Sequence, residues 1–144
     1  MIAILLALQA APSLGALPKQ ALPARGCAAY LWSRGDRRFV AVAGAEPASL
    51  RVALDGKVTD AARESQTGAA GYGLTERTTY RAGDATLTLE MTVSARADLT
   101  DGAAVPEATL TVARAGSDSV VYPVAGLIGC RSTQGVEMRP GSVR

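Results

Sequence analysis

Ala85-Thr86-Leu87-Thr88-Leu89-Glu90-Met91-Thr92-Val93-Ser94-Ala95 is the stretch that decides the fold class. Every odd-numbered residue in it is apolar, and every even-numbered one is Thr, Glu or Ser. A strand sends successive side chains to opposite faces, whereas a helix returns to the same face after 3.6 residues. A strict period of two is therefore a strand with one buried and one wet face.

The same period continues on both sides. Ala108, Leu110 and Val112 alternate with Thr109 and Thr111, and Leu50, Val52 and Leu54 alternate with Arg51 and Ala53. Phe39, Ala41 and Ala43 oppose Arg38, Val40 and Val42, which describes a strand apolar on both faces. Turn-forming residues fall between these runs. Arg34-Gly35-Asp36 separates Cys27–Ser33 from Arg37–Ala43, Ala82-Gly83-Asp84 follows Leu74–Arg81, and Ala115-Gly116-Ser117 precedes Val120–Leu127. Asp55-Gly56 joins Ser49–Leu54 to Lys57–Ala62 and predicts a tight hairpin with positive φ at both residues. Pro123 cannot donate to a ladder, so it predicts an edge or a bulge. Only Ala61–Ser65 looks helical, and it is too short to matter. The expectation is an all-β domain, a single antiparallel small barrel or sandwich of about eight short strands. Six aromatics and many alanines predict a thin core with little room for a ligand cavity.

Cys27 and Cys130 bracket this patterned region. In an exported protein they are most simply one disulfide joining the first and last strands; the alternative is two buried free thiols. The bond would require these strands to lie side by side or face each other, with Cα atoms roughly 4.4–6.8 Å apart. A staple of first strand to last favours a closed barrel, because closure removes exposed edges.

The 144 residues amount to about one domain, and a composition of 48% hydrophobic and 19% charged residues is that of a globular chain. Ile2 to Leu8 is an apolar run followed by small residues, far short of a membrane span. It reads as a signal peptide over residues 1–11, although no basic residue precedes it; the alternative is a first buried strand. Residues 12–26 carry Pro12, Pro18 and Pro23 and read as a linker or extended arm. Residues 27–130 are the β domain, and 131–144 read as a flexible tail. Arg25, close upstream of Cys27, breaks the apolar run that a lipid-attached cysteine needs. The expected location is periplasmic or secreted, with no transmembrane span.

Charge and composition exclude several functions. The chain holds no His and no Asn, so a Ser-His-Asp or Cys-His nucleophile, a His-ligated metal and an Asn-linked glycan are all excluded. Two cysteines are too few for a cysteine-only zinc site. The net charge of +2 comes from the termini; Cys27–Cys130 holds ten basic and twelve acidic residues, or −2. Such a domain lacks the basic face of nucleic-acid binders. No metal or cofactor is expected.

The residues that remain are candidates for binding. Thr67-Gly68-Ala69-Ala70-Gly71-Tyr72-Gly73 is rich in glycine but lacks the order, the following Lys and the helix that a phosphate cradle needs. It reads as a surface hairpin loop, or as one whose backbone approaches a partner with Tyr72 as an aromatic anchor. Arg34-Gly35-Asp36 spells an adhesion tripeptide, but a turn explains each of its residues. Asp98 with Asp101, or Asp60 with Glu64, could supply acid and base to a hydrolase. Solvated charge is the simpler reading, and the loop at Asp98 lacks calcium-loop spacing.

Leu54-Asp55-Gly56-Lys57, then Thr67 to Tyr72, then Tyr80-Arg81-Ala82-Gly83-Asp84 before the alternating strand follow one another over residues 50–90 or so. This order resembles the periplasmic and membrane-bound inhibitors of C-type lysozyme, small eight-stranded antiparallel barrels with a cysteine near each end. Thr67 stands where that family has serine, Arg81 where it has lysine, and one extra residue precedes Tyr72. The resemblance implies that Thr67 and Arg81 would reach a lysozyme's catalytic carboxylates and block its cleft.

The sequence thus predicts an exported, stapled β domain without catalysis: a binding or envelope structural module with an unknown protein or envelope partner. Its candidate contacts are Thr67, Gly68, Gly71, Tyr72, Tyr80 and Arg81. The alternative is a lysozyme inhibitor, and a more remote one is a carboxylate hydrolase.

Overall fold

The structure is a computed structural model that describes residues 12–23, 25–95 and 102–131. The signal-peptide reading of residues 1–11, the tail beyond Arg131 and the pair Asp98 and Asp101 lie outside the described residues.

The described residues are all-β. A two-residue strand β1 (Leu14–Gly15) precedes β2 (Gly26–Ser33), β3 (Phe39–Gly44), β4 (Ser49–Leu54) and β5 (Lys57–Thr67). Then come β6 (Arg77–Ala82), β7 (Ala85–Ser94), β8 (Gly102–Arg114) and β9 (Val120–Arg131). Each of β2 to β9 pairs antiparallel with its successor, and β9 pairs back onto β2. The result is a closed eight-stranded barrel with one extra strand. No helix among these residues is long and apolar enough to cross a membrane.

The alternation of β7 holds as read: Ala85, Leu87, Leu89 and Met91 are buried, while Glu90 and Thr92 are exposed. Leu31, Leu50, Leu110, Val112 and Val124 fill the interior from the other strands. The segment at Ala61–Ser65 is strand rather than helix, since β5 runs through it with Ala61 as its buried side chain. Pairing on both sides, to β4 and to β6, overrides the weak local helical preference.

Asp55 and Gly56 take φ of 51° and 82°, the expected hairpin geometry. In the β2–β3 turn the positive φ falls on Arg37, at 59°, rather than on Gly35. Pro123 lies within β9, where its carbonyl accepts from the Arg34 amide, just past the end of the β2 pairing at Ser33–Val124. The side lacking a donor thus faces the place where β2 stops. In the β8–β9 pair the bulge falls on β8, between Val105 and Ala108, rather than at Pro123.

Two rims result. The lower rim carries the β2–β3, β4–β5, β6–β7 and β8–β9 turns. The upper rim carries the β3–β4 and β5–β6 connections and the disulfide Cys27–Cys130. Those cysteines sit directly opposite each other on β2 and β9, with Cα atoms 4.0 Å apart. This is closer than expected, because the register places them face to face on neighbouring strands. Between the same strands, a Cβ on Gly126 would collide with the Tyr30 carbonyl, so closure needs glycine there.

The proline-bearing arm is extended, and its first part packs down. Leu14 pairs with Leu54 and joins the core at the lower rim, and Pro12 and Leu17 are buried. The Leu14 amide donates to the Tyr122 hydroxyl at 3.3 Å. Farther along, Gln20 accepts from Arg51 at 2.9 Å, and the Ala21 carbonyl accepts from the Tyr30 hydroxyl at 2.9 Å. The arm therefore crosses the outside of β2–β4 from lower rim to upper rim.

Candidate functional site

The sequence-selected residues divide between two places. Thr67 ends β5 and Gly68 opens the loop to β6, so Thr67, Gly68, Gly71 and Tyr72 lie together at the upper rim. Gly68, Gly71 and Gly73 have φ of 75°, 97° and 78°, a left-handed backbone that glycine adopts without steric cost. Tyr72, between the last two, has φ of 61°. A bulky side chain there strains the backbone by roughly 1–3 kcal/mol.

Local hydrogen bonds hold the loop in that shape. The Leu74 amide donates to the Gly71 carbonyl at 2.9 Å, and the Ala70 amide donates to the Leu74 carbonyl at 3.0 Å. Leu74 is 6% exposed and joins the core, closing the barrel mouth. Tyr72 remains 37% exposed, its hydroxyl 3.4 Å from the Gly102 carbonyl at the start of β8. An apolar plug thus anchors the loop while its aromatic side chain faces solvent.

Tyr80 and Arg81 stand apart from this loop. Tyr80 points inward and is buried, and that burial pushes its phenol up from the ordinary value; the Thr78 hydroxyl opposes the shift. It lines a cavity of about 10 Å³ with Thr78, Leu74 and Met91, room for a single water at most. Thr78 in turn shares a short hydrogen bond with Thr75. Arg81 faces outward and pairs with Glu64 at 3.1 Å. In the β5–β6 register Thr67 opposes Arg77 and Arg81 opposes Ala62. Four residues of strand separate the two positions, roughly 13 Å at about 3.3 Å per residue.

The second carboxylate pair of the sequence is not a pair in space. Asp60 makes two hydrogen bonds to Arg51, at 2.7 and 3.0 Å, while Glu64 holds Arg81. Hydrogen bonding to Arg51 holds the Asp60 carboxyl below the ordinary range, the charged state rather than that of an acid. The remaining pair, Asp98 and Asp101, is outside the described residues.

Sequence reasoning missed an open groove of about 620 Å³ on the outside of β6–β9. Its floor includes Thr92, Thr109 and Pro123, and Arg34 and Glu107 border it. Arg77 and Glu90, directly opposite each other on β6 and β7, pair across one wall at 2.6 Å. The bulge in β8 shapes this concavity, and only Pro106, interrupting a regular strand pattern, announces it in the sequence. Its hydroxyls and charges can hydrogen-bond a polar ligand.

No protein-family model, no curated protein and no solved structure matches the chain.

Proposed function

We propose that this chain is an exported, non-catalytic binding domain whose upper-rim loop, with Tyr72 at its tip, contacts a protein partner. The observation that carries the reading is the conformation of Tyr72, an exposed aromatic in the left-handed region on a loop anchored by Leu74. A glycine would occupy that position without strain, so the backbone carries a cost to hold this ring at the loop tip, more than a third exposed and with its hydroxyl against the Gly102 carbonyl. Rigid, exposed aromatic side chains are the usual anchors of protein interfaces. The disulfide and the apolar run at Ile2–Leu8 support export to an oxidising compartment.

The test places a photo-crosslinking residue at Tyr72 and, as a control, at Val58, which is 48% exposed near the lower rim. The domain is then expressed in its own compartment. A discrete protein adduct from position 72 that is absent from position 58 supports the proposal. No adduct, or the same adducts from both positions, overturns it. Titration of the oxidised domain into a C-type lysozyme separates the inhibitor reading from other partners. Stoichiometric inhibition that is lost in Thr67→Ala and in Arg81→Ala would identify the enzyme cleft as the target.

A further inference from the structure

The outside of the barrel is not uniform. On β5 to β8 the outward positions carry threonines and ion-paired charges, such as Arg77 with Glu90 and Arg81 with Glu64. The neighbouring wall departs from this alternation. The outward positions of β9 are Val121, Pro123, Ala125, Leu127 and Gly129, all of them apolar, and only Arg131 at its end is charged. Those of β2 are Ala28, Tyr30 and Trp32, and β3 places Phe39 and Val42 beside them. Phe39 stacks between two of these rings, 4.9 Å from Trp32 and 6.3 Å from Tyr30 between centroids. The arm covers part of this wall. Exposed on the wall are Trp32 at 39%, Leu127 at 46% and Val121 at 57%, and on the arm over it Leu22 at 47%, four of the six exposed large hydrophobics among the described residues.

The charges bordering this wall say what faces it. Arg34 and Arg37 lie at its lower end, and Arg25 and Arg131 flank the β2–β9 pair at its upper end. None of the four has an ion-pair partner among the described residues. The nearby carboxylates are Asp36, bonded to Arg38, Glu46 in the β3–β4 turn, and Asp118 in the β8–β9 turn. Asp60, Glu64, Glu76 and Glu90 belong to β5–β7 or their connections, while Glu107, in the β8 bulge beside β9, shares the groove with Arg34 and Pro123. A second copy docked by a two-fold axis would set cation over cation whichever way the strands ran. A planar anionic surface meets all four.

We propose that the outer face of β9, β2 and β3 docks on an anionic lipid surface. Trp32 and Leu127 would enter the boundary between headgroups and acyl chains, and Arg34, Arg37, Arg25 and Arg131 would pair with phosphates. Tryptophan concentrates at that depth of a bilayer, and each arginine near an anionic leaflet strengthens attachment. The opposite wall, with its carboxylates, then faces away from the membrane, which fixes the orientation of the bound barrel.

Trp32 is the chain's one tryptophan and reports its own insertion. The oxidised domain is mixed with vesicles of phosphatidylcholine alone, or of phosphatidylcholine with phosphatidylglycerol, at low and high salt. The expected result is co-sedimentation with the phosphatidylglycerol vesicles, with a blue shift of Trp32 emission that weakens as salt rises. Arg37→Asn, which keeps a residue tolerant of positive φ, should weaken partitioning roughly fivefold, as should Arg34→Ser. Leu127→Ser should weaken it by about tenfold, and Tyr72→Ala should leave it unchanged. Val58→Ser, on the opposite wall, and an unchanged thermal midpoint control for folding. Absence of binding to phosphatidylglycerol vesicles overturns the proposal. So does equal binding to both vesicle types, or a concentration-dependent dimer that shifts Trp32 emission without lipid.

Discussion

The two rims of the barrel are closed by different physics. The upper rim is held by a covalent bond between β2 and β9 and by Leu74, and its loop keeps a strained tyrosine in solvent. The lower rim has no staple. There the arm inserts Pro12 and Leu14, and Asp55 ties arm to barrel: its carboxylate accepts from the Ser13 amide and its own amide donates to the Ser13 carbonyl. Arg114 joins the same cluster, bonding Asp55 and, at 3.2 Å, Asp84 of the β6–β7 turn. Left-handed side chains occur at both rims, but Arg37 and Asp55 at the lower one sit in short turns between strands, whereas Tyr72 sits in the longer β5–β6 loop at the crosslinked rim. A covalent staple can hold a rim whose loop is not optimised for stability, and a loop freed from that demand can be shaped for contact.

Removing the staple should break the contrast most. The disulfide closes a separation of 103 residues, and chain entropy puts its loss near ~4.7 kcal/mol as an upper figure. Cys27→Ala with Cys130→Ala, followed by urea unfolding, should give a loss approaching that value; a loss under about 1 kcal/mol would show that pairing alone holds β2 to β9. Leu14→Ala, at the other rim, should cost about 2–5 kcal/mol by leaving a cavity. Because the rims are far apart, the combined variant should be additive within about 0.5 kcal/mol. Strong coupling between them would mean that the barrel closes as one unit and the contrast is only geometric.

The twofold alternation that shows in β7 and β8 is what made the barrel readable, because each of those strands has one wet face. The helical look of Ala61–Ser65 was a local preference, and the neighbouring strands β4 and β6 overrode it. At the candidate site, the glycines marked the loop, but Tyr80 and Tyr72 are both simply aromatic in a sequence. Which of them turns inward depends on the β6–β7 register, where Tyr80 opposes the buried Leu87. The wet groove over β6–β9 was hidden for the same reason: its residues come from distant parts of the chain.

Acid should act on the lower rim. Hydrogen bonds from Arg114 and from the Ser13 amide hold the folded Asp55 carboxyl below its ordinary value. Its contribution is therefore full above about pH 3.9, the unfolded value, and disappears as pH falls through the lower folded one. Asp55→Asn keeps a residue that tolerates the positive φ. Its thermal midpoint should lie below wild type at neutral pH, and the two curves should converge in strong acid. A gap that persists there would remove the charge as the cause. The smallest effect belongs to the upper rim: Tyr72→Asn should stabilise the domain by about 1 kcal/mol or less, by relieving the left-handed strain. A destabilised Tyr72→Asn would mean that the ring packs for structure rather than for contact.

The sequence alone determined an all-β chain of about eight strands with a tight hairpin at Asp55-Gly56, because alternation and turn chemistry are local properties of neighbouring residues. It also named the two cysteines that would meet if the ends came together. Only the tertiary structure decided that the sheet closes by pairing β9 with β2, that the arm plugs the lower rim, and that Tyr72 faces solvent while Tyr80 does not. It also assembled the apolar outer wall, from strands almost a hundred residues apart in the chain. Each of these depends on register between distant strands, and register is set by burial of a shared interior that no single segment contains.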